Sequence, residues 1–226
     1  MAPAAHKRLA GRKVAAIACF DSFGKVAMTL LSACRQEGAE TTLHLLQISN
    51  RALSRRQRLE IRRTDRRTPI KKGAWQDFRS LTATMAADTD VLILGLDGLR
   101  SREAFLMLAK EWRDRADRPV LVSAYPGILF RFALEGMLDR SGADLLCLNS
   151  AQDFATYRLG REALGLSSDN AVVTGLPLLW NAETDRAVPD KPSIVFFEQP
   201  SIPVHPLQRR YICKQLKELA EVGIVN

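Results

Sequence analysis

Four polar segments that follow apolar runs carry most of the side chains in this chain that could do chemistry. They are Asp21-Ser22-Phe23-Gly24-Lys25, Asp97-Gly98, Tyr125-Pro126-Gly127 and Asn149-Ser150. A carboxylate such as Asp21, held rigidly at a strand end, can take a proton from a hydroxyl. The competing reading is electrostatic: an acid in a helix's first turn gains about 0.3–1 kcal/mol from the helix dipole, and the same field weakens it as a base. Gly24 would let backbone approach a ligand, and the free amides of a following helix would hold an anion. Lys25 reads either as a solvated helix residue or as a ligand contact. Tyr125 offers an aromatic face and a hydroxyl, and Asn149 offers neutral hydrogen-bonding groups. Ser150 could contact a ligand, but with Asp153 three residues later it also forms a capping pair. Turn chemistry alone accounts for the glycines and the proline.

These residues matter only if the elements before them end at one edge. Val14 to Cys19, Val91 to Leu96, Val120 to Ala124 and Leu145 to Leu148 are short apolar runs suited to strands buried on both faces. Thr41 to Ile48 and Val172-Val173 add two more strands. Between them lie helical spacings: Ala27, Leu30, Leu31 and Cys34, closed by Gly38; Trp75, Phe78, Leu81 and Met85, ending near Asp88; and Phe105, Leu108 and Trp112, with Ser101 as the expected cap. Such alternation predicts an α/β fold, a Rossmann-like parallel sheet with helices on both faces. In open sheets of this kind ligands bind beyond the carboxyl ends of the strands, which is where the four segments fall. A polar stretch, 181–192, reads as a linker between a domain over 1–180 and an incomplete second α/β unit over 193–226, made of a strand at Ile194 to Phe197 and a helix from Pro206.

Composition narrows the classes. With 46% hydrophobic residues in 226, the chain can bury a sizeable core. No apolar run approaches the roughly 20 residues of a membrane span, and no signal peptide is read, so the expected location is cytoplasmic. No Cys-x-x-Cys spacing exists, and Cys19, Cys34, Cys147 and Cys213 read as buried free thiols. His6, His44 and His205 form no triad or metal cluster with other residues, and neither dinucleotide nor nucleoside triphosphate fingerprints occur. The net charge of +8 sits in one segment: Arg51 to Lys72 holds ten Arg or Lys against Glu60 and Asp65, while the remainder balances at 23 basic and 23 acidic residues. With few apolar positions, that segment is an exposed helix or a mobile loop. It suits an acidic glycan, a phosphate-rich acceptor or an anionic membrane surface, giving a peripheral position at the inner membrane face. Nucleic acid is disfavoured because no aromatic residue interleaves the charges.

In their order, the Phe20 to Lys25 segment, Leu96-Asp97-Gly98, Tyr125-Pro126-Gly127, Asn149-Ser150, Thr174-Gly175-Leu176-Pro177 and Phe197-Glu198-Gln199-Pro200 resemble a group of bacterial proteins assigned as glycosyltransferases with two-domain GT-B architecture. The resemblance covers nearly the whole chain. It implies an amino-terminal domain that holds the acceptor, a carboxy-terminal domain that holds a nucleotide-sugar, and metal-independent transfer to a polysaccharide or glycolipid with no further cofactor. On that reading Asp21 is the base, while Ser22, Gly24, Lys25, Asp97, Tyr125, Asn149 and Ser150 line the acceptor side. Sugar rings pack on aromatic faces, which suits Tyr125. Glu198, Gln199, Ser201 and His205 would face the donor. The alternatives are a truncated, non-catalytic binding module and binding of nucleic acid or an anionic surface through 51–72. A homo-oligomer is compatible with an apolar face on the last helix.

Overall fold

The computed structural model describes residues 7–48, 52–127, 134–180 and 206–221. The chain separates into two compact units, Met1–Ala182 and Glu183–Asn226. In the first, seven strands form one parallel sheet: β1 (Lys13–Ala18), β2 (Glu40–Gln47), β3 (Ile70–Ala74), β4 (Val91–Gly95), β5 (Val120–Ala124), β6 (Leu145–Leu148) and β7 (Ala171–Val173). Their order is β3-β2-β1-β4-β5-β6-β7. This is a Rossmann-like α/β fold. The chain winds outward to one side from β1 and then to the other from β4, so the topological switch lies between these two strands. Their register pairs Ile17 with Leu94 and Ala18 with Gly95.

Among the described residues of the first unit six helices cover the sheet: α1 (Asp21–Gln36), α2 (Arg55–Thr64), α3 (Phe78–Asp88), α4 (Gly98–Glu111), α5 (Leu134–Leu138) and α6 (Ala151–Ala163). Side chains alternate along each strand, so β1 sends Val14, Ala16 and Ala18 to α1 and α2, and Ala15, Ile17 and Cys19 to α3 and α4. Met137 and Tyr157, from α5 and α6, join Leu146 and Leu148 of β6. Burying a side chain such as Ile17 or Leu94 contributes roughly 1.5–3 kcal/mol. Gly38 and Gly165, just past the ends of α1 and α6, take left-handed φ values of 95° and 66°. The second unit is described over one amphipathic helix, α7 (Pro206–Glu221). The expected strand at 194–197 lies outside the described residues. Among the described residues no helix is long and apolar enough to cross a membrane.

Three expectations need correction. The basic segment contains α2 and then β3, a strand not foreseen because Ile70-Lys71-Lys72-Gly73-Ala74 sits at the sheet's edge, pairs only with β2 and leaves both lysines exposed. The cap of α4 is Asp97, whose carboxylate accepts the Arg100 amide at 2.8 Å. Ser101 lies a turn inside the helix, fully buried, with its hydroxyl donating to the Leu96 carbonyl at 3.3 Å. Of the cysteines, Cys19 and Cys147 are buried, Cys34 is half-buried and Cys213 is exposed.

His44 in β2 is buried, and the strand register sets it beside Lys71. Burial, and then the Lys71 charge, push its pKa down to about 4. The folded state therefore resists a proton that the unfolded chain accepts near pH 6.5, and stability should fall as pH drops from about 6.5 toward about 4, by at most about 1.4 kcal/mol per pH unit. Urea denaturation of wild type and His44→Gln across this window should show a shallower decline in the variant. Parallel declines would assign the pH dependence to other groups.

Candidate functional site

All seven strands run the same way, so the residues that follow them share one edge. In sheet order the sequence candidates become a row: Asp21 after β1, Asp97 after β4, Tyr125 after β5, and Asn149 with Ser150 after β6. Neighbouring strands lie about 4.8 Å apart, so the row spans about 14 Å.

Asp21 is the first residue of α1 and is half-buried. Phe20 before it has extended backbone and provides no side-chain cap. The first intrahelical bond runs from the Gly24 amide to the Phe20 carbonyl at 2.7 Å, which leaves the preceding amides of the first turn without helical partners. Among the described residues the Asp21 carboxylate makes no hydrogen bond or ion pair, and Ser22 beside it is exposed. Two other helices that start on this edge are closed by side chains: Asp97 caps α4, and the Ser150 hydroxyl accepts the Asp153 amide at 3.1 Å to cap α6.

The residue that sequence reasoning missed is Arg140. It follows α5 and is 1% exposed, the largest fully buried side chain of the described residues. Its guanidinium donates to the Gly136 carbonyl at 2.5 Å and to the Leu96 carbonyl at the end of β4. It stacks on the Tyr125 ring, 4.6 Å from the centroid, and lies 5.7 Å from that of Phe23. No carboxylate pairs with it among the described residues, and its Nε has no partner. Burial pushes its pKa down, while Tyr125, Asp139 and Asp97 oppose the shift electrostatically. One cation thus joins the first turn of α1, the ends of β4 and β5, and α5. A lone arginine in a Gly-Met-Leu-Asp-Arg stretch gives no sequence signal for that role.

Two candidates turn away from the edge. Gly24 is buried, and a Cβ there would lie 2.7 Å from Ile61 Cδ1 of α2, so its missing side chain lets two helices meet. Lys25 reaches Glu60 of α2 at 2.8 Å. Tyr125 is pinned between Arg140 and Gly136, where an added Cβ would lie 2.7 Å from the tyrosine hydroxyl. Asn149 donates to the Gly127 carbonyl at 2.5 Å and keeps its own carbonyl oxygen buried without a partner. Cys19, at the end of β1, is a neutral thiol: burial and then Asp97 push its pKa up to about 12, against Arg100. Thiolate chemistry at the switch point is thereby disfavoured. A hollow bounded by Cys19, Leu46, Leu53 and Arg58 offers about 60 Å³, well short of the roughly 300 Å³ of a small-molecule pocket. Glu198, Gln199, Ser201 and His205 lie outside the described residues.

A parallel sheet of this order with polar groups at its switch point defines a Rossmann-like domain. The chain belongs to the DUF6716 family, described as "Putative glycosyltransferase", whose model matches residues 14–223. No curated protein sequence matches it. Among solved structures it is similar to a "putative UDP-N-acetylglucosamine 2-epimerase" from Listeria monocytogenes, with TM-score 0.61 and 14% identity over 95% of this chain and 61% of that one. It is also similar to HepE from Anabaena, solved with UDP and glucose, with TM-score 0.48 and 13% identity over 72% of this chain and 43% of that one. The chain therefore spans less than two thirds of the length of either.

If Gly24 serves helix packing, Gly24→Ala should cost about 1–3 kcal/mol by overpacking, and Ile61→Val in the same chain should restore part of the loss. Thermal unfolding of the two single variants and the double variant measures the coupling. Additive effects would remove the packing explanation.

Proposed function

We propose that this chain takes part in glycosyl transfer from a nucleotide-sugar to a hydroxyl of a polysaccharide or glycolipid, with the row beyond β1, β4, β5 and β6 lining the acceptor side. The observation that carries this is the Asp21 carboxylate, half-buried at the topological switch and engaged by no described residue. Membership of a family described as glycosyltransferases supports the reaction class.

In the proposed step Asp21 takes the proton of the acceptor hydroxyl. The freed oxygen bonds to the anomeric carbon, and that carbon's bond to the donor phosphate breaks, releasing the nucleotide with the electron pair. Tyr125, held by Arg140, presents a rigid face on which a sugar ring can pack, and Asn149 holds the Gly127 turn beside it. Ser22, exposed in the same first turn, donates to the acceptor. The uncapped amides of α1 and the buried Arg140 charge make this edge electropositive, which favours negative charge developing on the leaving phosphate. Glu198, Gln199, Ser201 and His205 are assigned to the donor on the family resemblance alone.

Two measurements test this together. Thermal unfolding against a panel of nucleotide-sugars should reveal one class that raises the midpoint, since a ligand at 100 times its dissociation constant adds about 2.7 kcal/mol. With that donor, release of free nucleotide should fall roughly 10²–10⁴-fold in Asp21→Asn while the thermal shift persists. A shift with no nucleotide-sugar, or undiminished turnover in the variant, would overturn the reading.

A further inference from the structure

The basic segment carries an inference beyond glycosyl transfer. Its two acids are both turned toward the body of the domain. Glu60 is held by Lys25 of α1 at 2.8 Å and by Arg56 at 3.3 Å. Asp65 is buried and held by Arg35 of α1 at 2.9 Å, with the Thr68 hydroxyl donating to it at 2.8 Å. These contacts keep both carboxyls below the usual carboxylate range; for Asp65 they outweigh its own burial. Ile61, fully buried, seats α2 on α1. What remains outward is cationic: Arg55, Arg62, Arg63, Arg66 and Arg67 are all exposed. In their midst Leu59 is 49% exposed, and with Arg62, Arg63 and Arg66 it lines a shallow hollow on the helix surface.

We propose that this face of α2 docks the domain on an anionic lipid bilayer. Guanidinium groups bind lipid phosphates through several donors each, and a leucine among them can enter the apolar side of the headgroup layer. Spacing supports this: Arg62 and Arg63 follow Leu59 by three and four positions on one side of α2, and Arg66, just past the end of the helix, lines the same hollow. Nucleic acid fits the same charges less well, since base stacking needs aromatic faces and 51–72 has none. The net charge is local, because the rest of the chain sums to zero.

The test is co-sedimentation of the full chain with phosphatidylcholine vesicles, with and without phosphatidylglycerol. Binding should require phosphatidylglycerol and weaken with added salt. The triple variant Arg62→Ala, Arg63→Ala and Arg66→Ala should bind about 100-fold more weakly, on the order of fivefold per arginine. Leu59→Ser, which leaves the charge untouched, should also weaken binding measurably. All four positions are exposed, so the unfolding midpoints should stay close to wild type and separate lost docking from lost folding. Failure of the wild type to bind phosphatidylglycerol vesicles would overturn the proposal. So would unchanged binding in Leu59→Ser together with equal affinity for single-stranded RNA, which would assign the face to nucleic acid.

Discussion

The edge of this domain depends on a buried cation without a counterion among the described residues. Removing a guanidinium from water is expensive, and Arg140 recovers the cost through two backbone carbonyls and two aromatic rings rather than a carboxylate. The Leu96 carbonyl ends β4, Tyr125 follows β5, and Phe23 belongs to the first turn of α1. A single planar group therefore sets the relative positions of three segments that the sheet only brings near one another. It also explains Gly136, where any side chain would strike the tyrosine that Arg140 holds.

The same edge shows how close packing and chemistry divide the residues. Gly95 of β4 lies so near the Phe23 carbonyl that a Cβ would be 3.1 Å from it, and Gly24 makes room for Ile61. These glycines bring α1 down on the sheet and α2 down on α1. With α1 fixed this way, Asp21 has no neighbour among the described residues to neutralise it. Asp97 has a different task, closing the amino end of α4, and Asp139 is taken by Arg102 at 2.7 Å. Three acids near one edge thus have three distinct fates, and of these only Asp21 has no partner among the described residues.

Much of this was legible in the sequence where burial was strong. β1, β4, β5 and β6 announce themselves as apolar runs because both faces are covered, and parallel topology follows from their alternation with helices. β3 was not legible: an edge strand with two exposed lysines has no such run. Ser54-Arg55-Arg56-Gln57 did carry a signal for α2, a capping box in which the Ser54 hydroxyl accepts the Gln57 amide and the Gln57 side chain accepts the Ser54 amide. Choosing between Asp97 and Ser101 as the cap of α4 needed the backbone, since both types serve and lie one turn apart. Among the site residues, types and positions at strand ends could be read. Which were already occupied could not, because Lys25 with Glu60 and Arg140 with Tyr125 are joined only by the tertiary fold. The inward turn of Glu60 and Asp65, which leaves α2 with a purely cationic outer face, was hidden for the same reason.

The most direct measurement is hydrogen exchange of the backbone amides, with and without the nucleotide-sugar that stabilises the chain most. Ligand at the switch point predicts slowed exchange in residues 20–25, 96–98, 125–127 and 149–151, with little change at the amino ends of the strands. Slowing confined to that opposite edge, around Lys13, Glu40 and Asp88, with the carboxyl edge unaltered, would contradict the account.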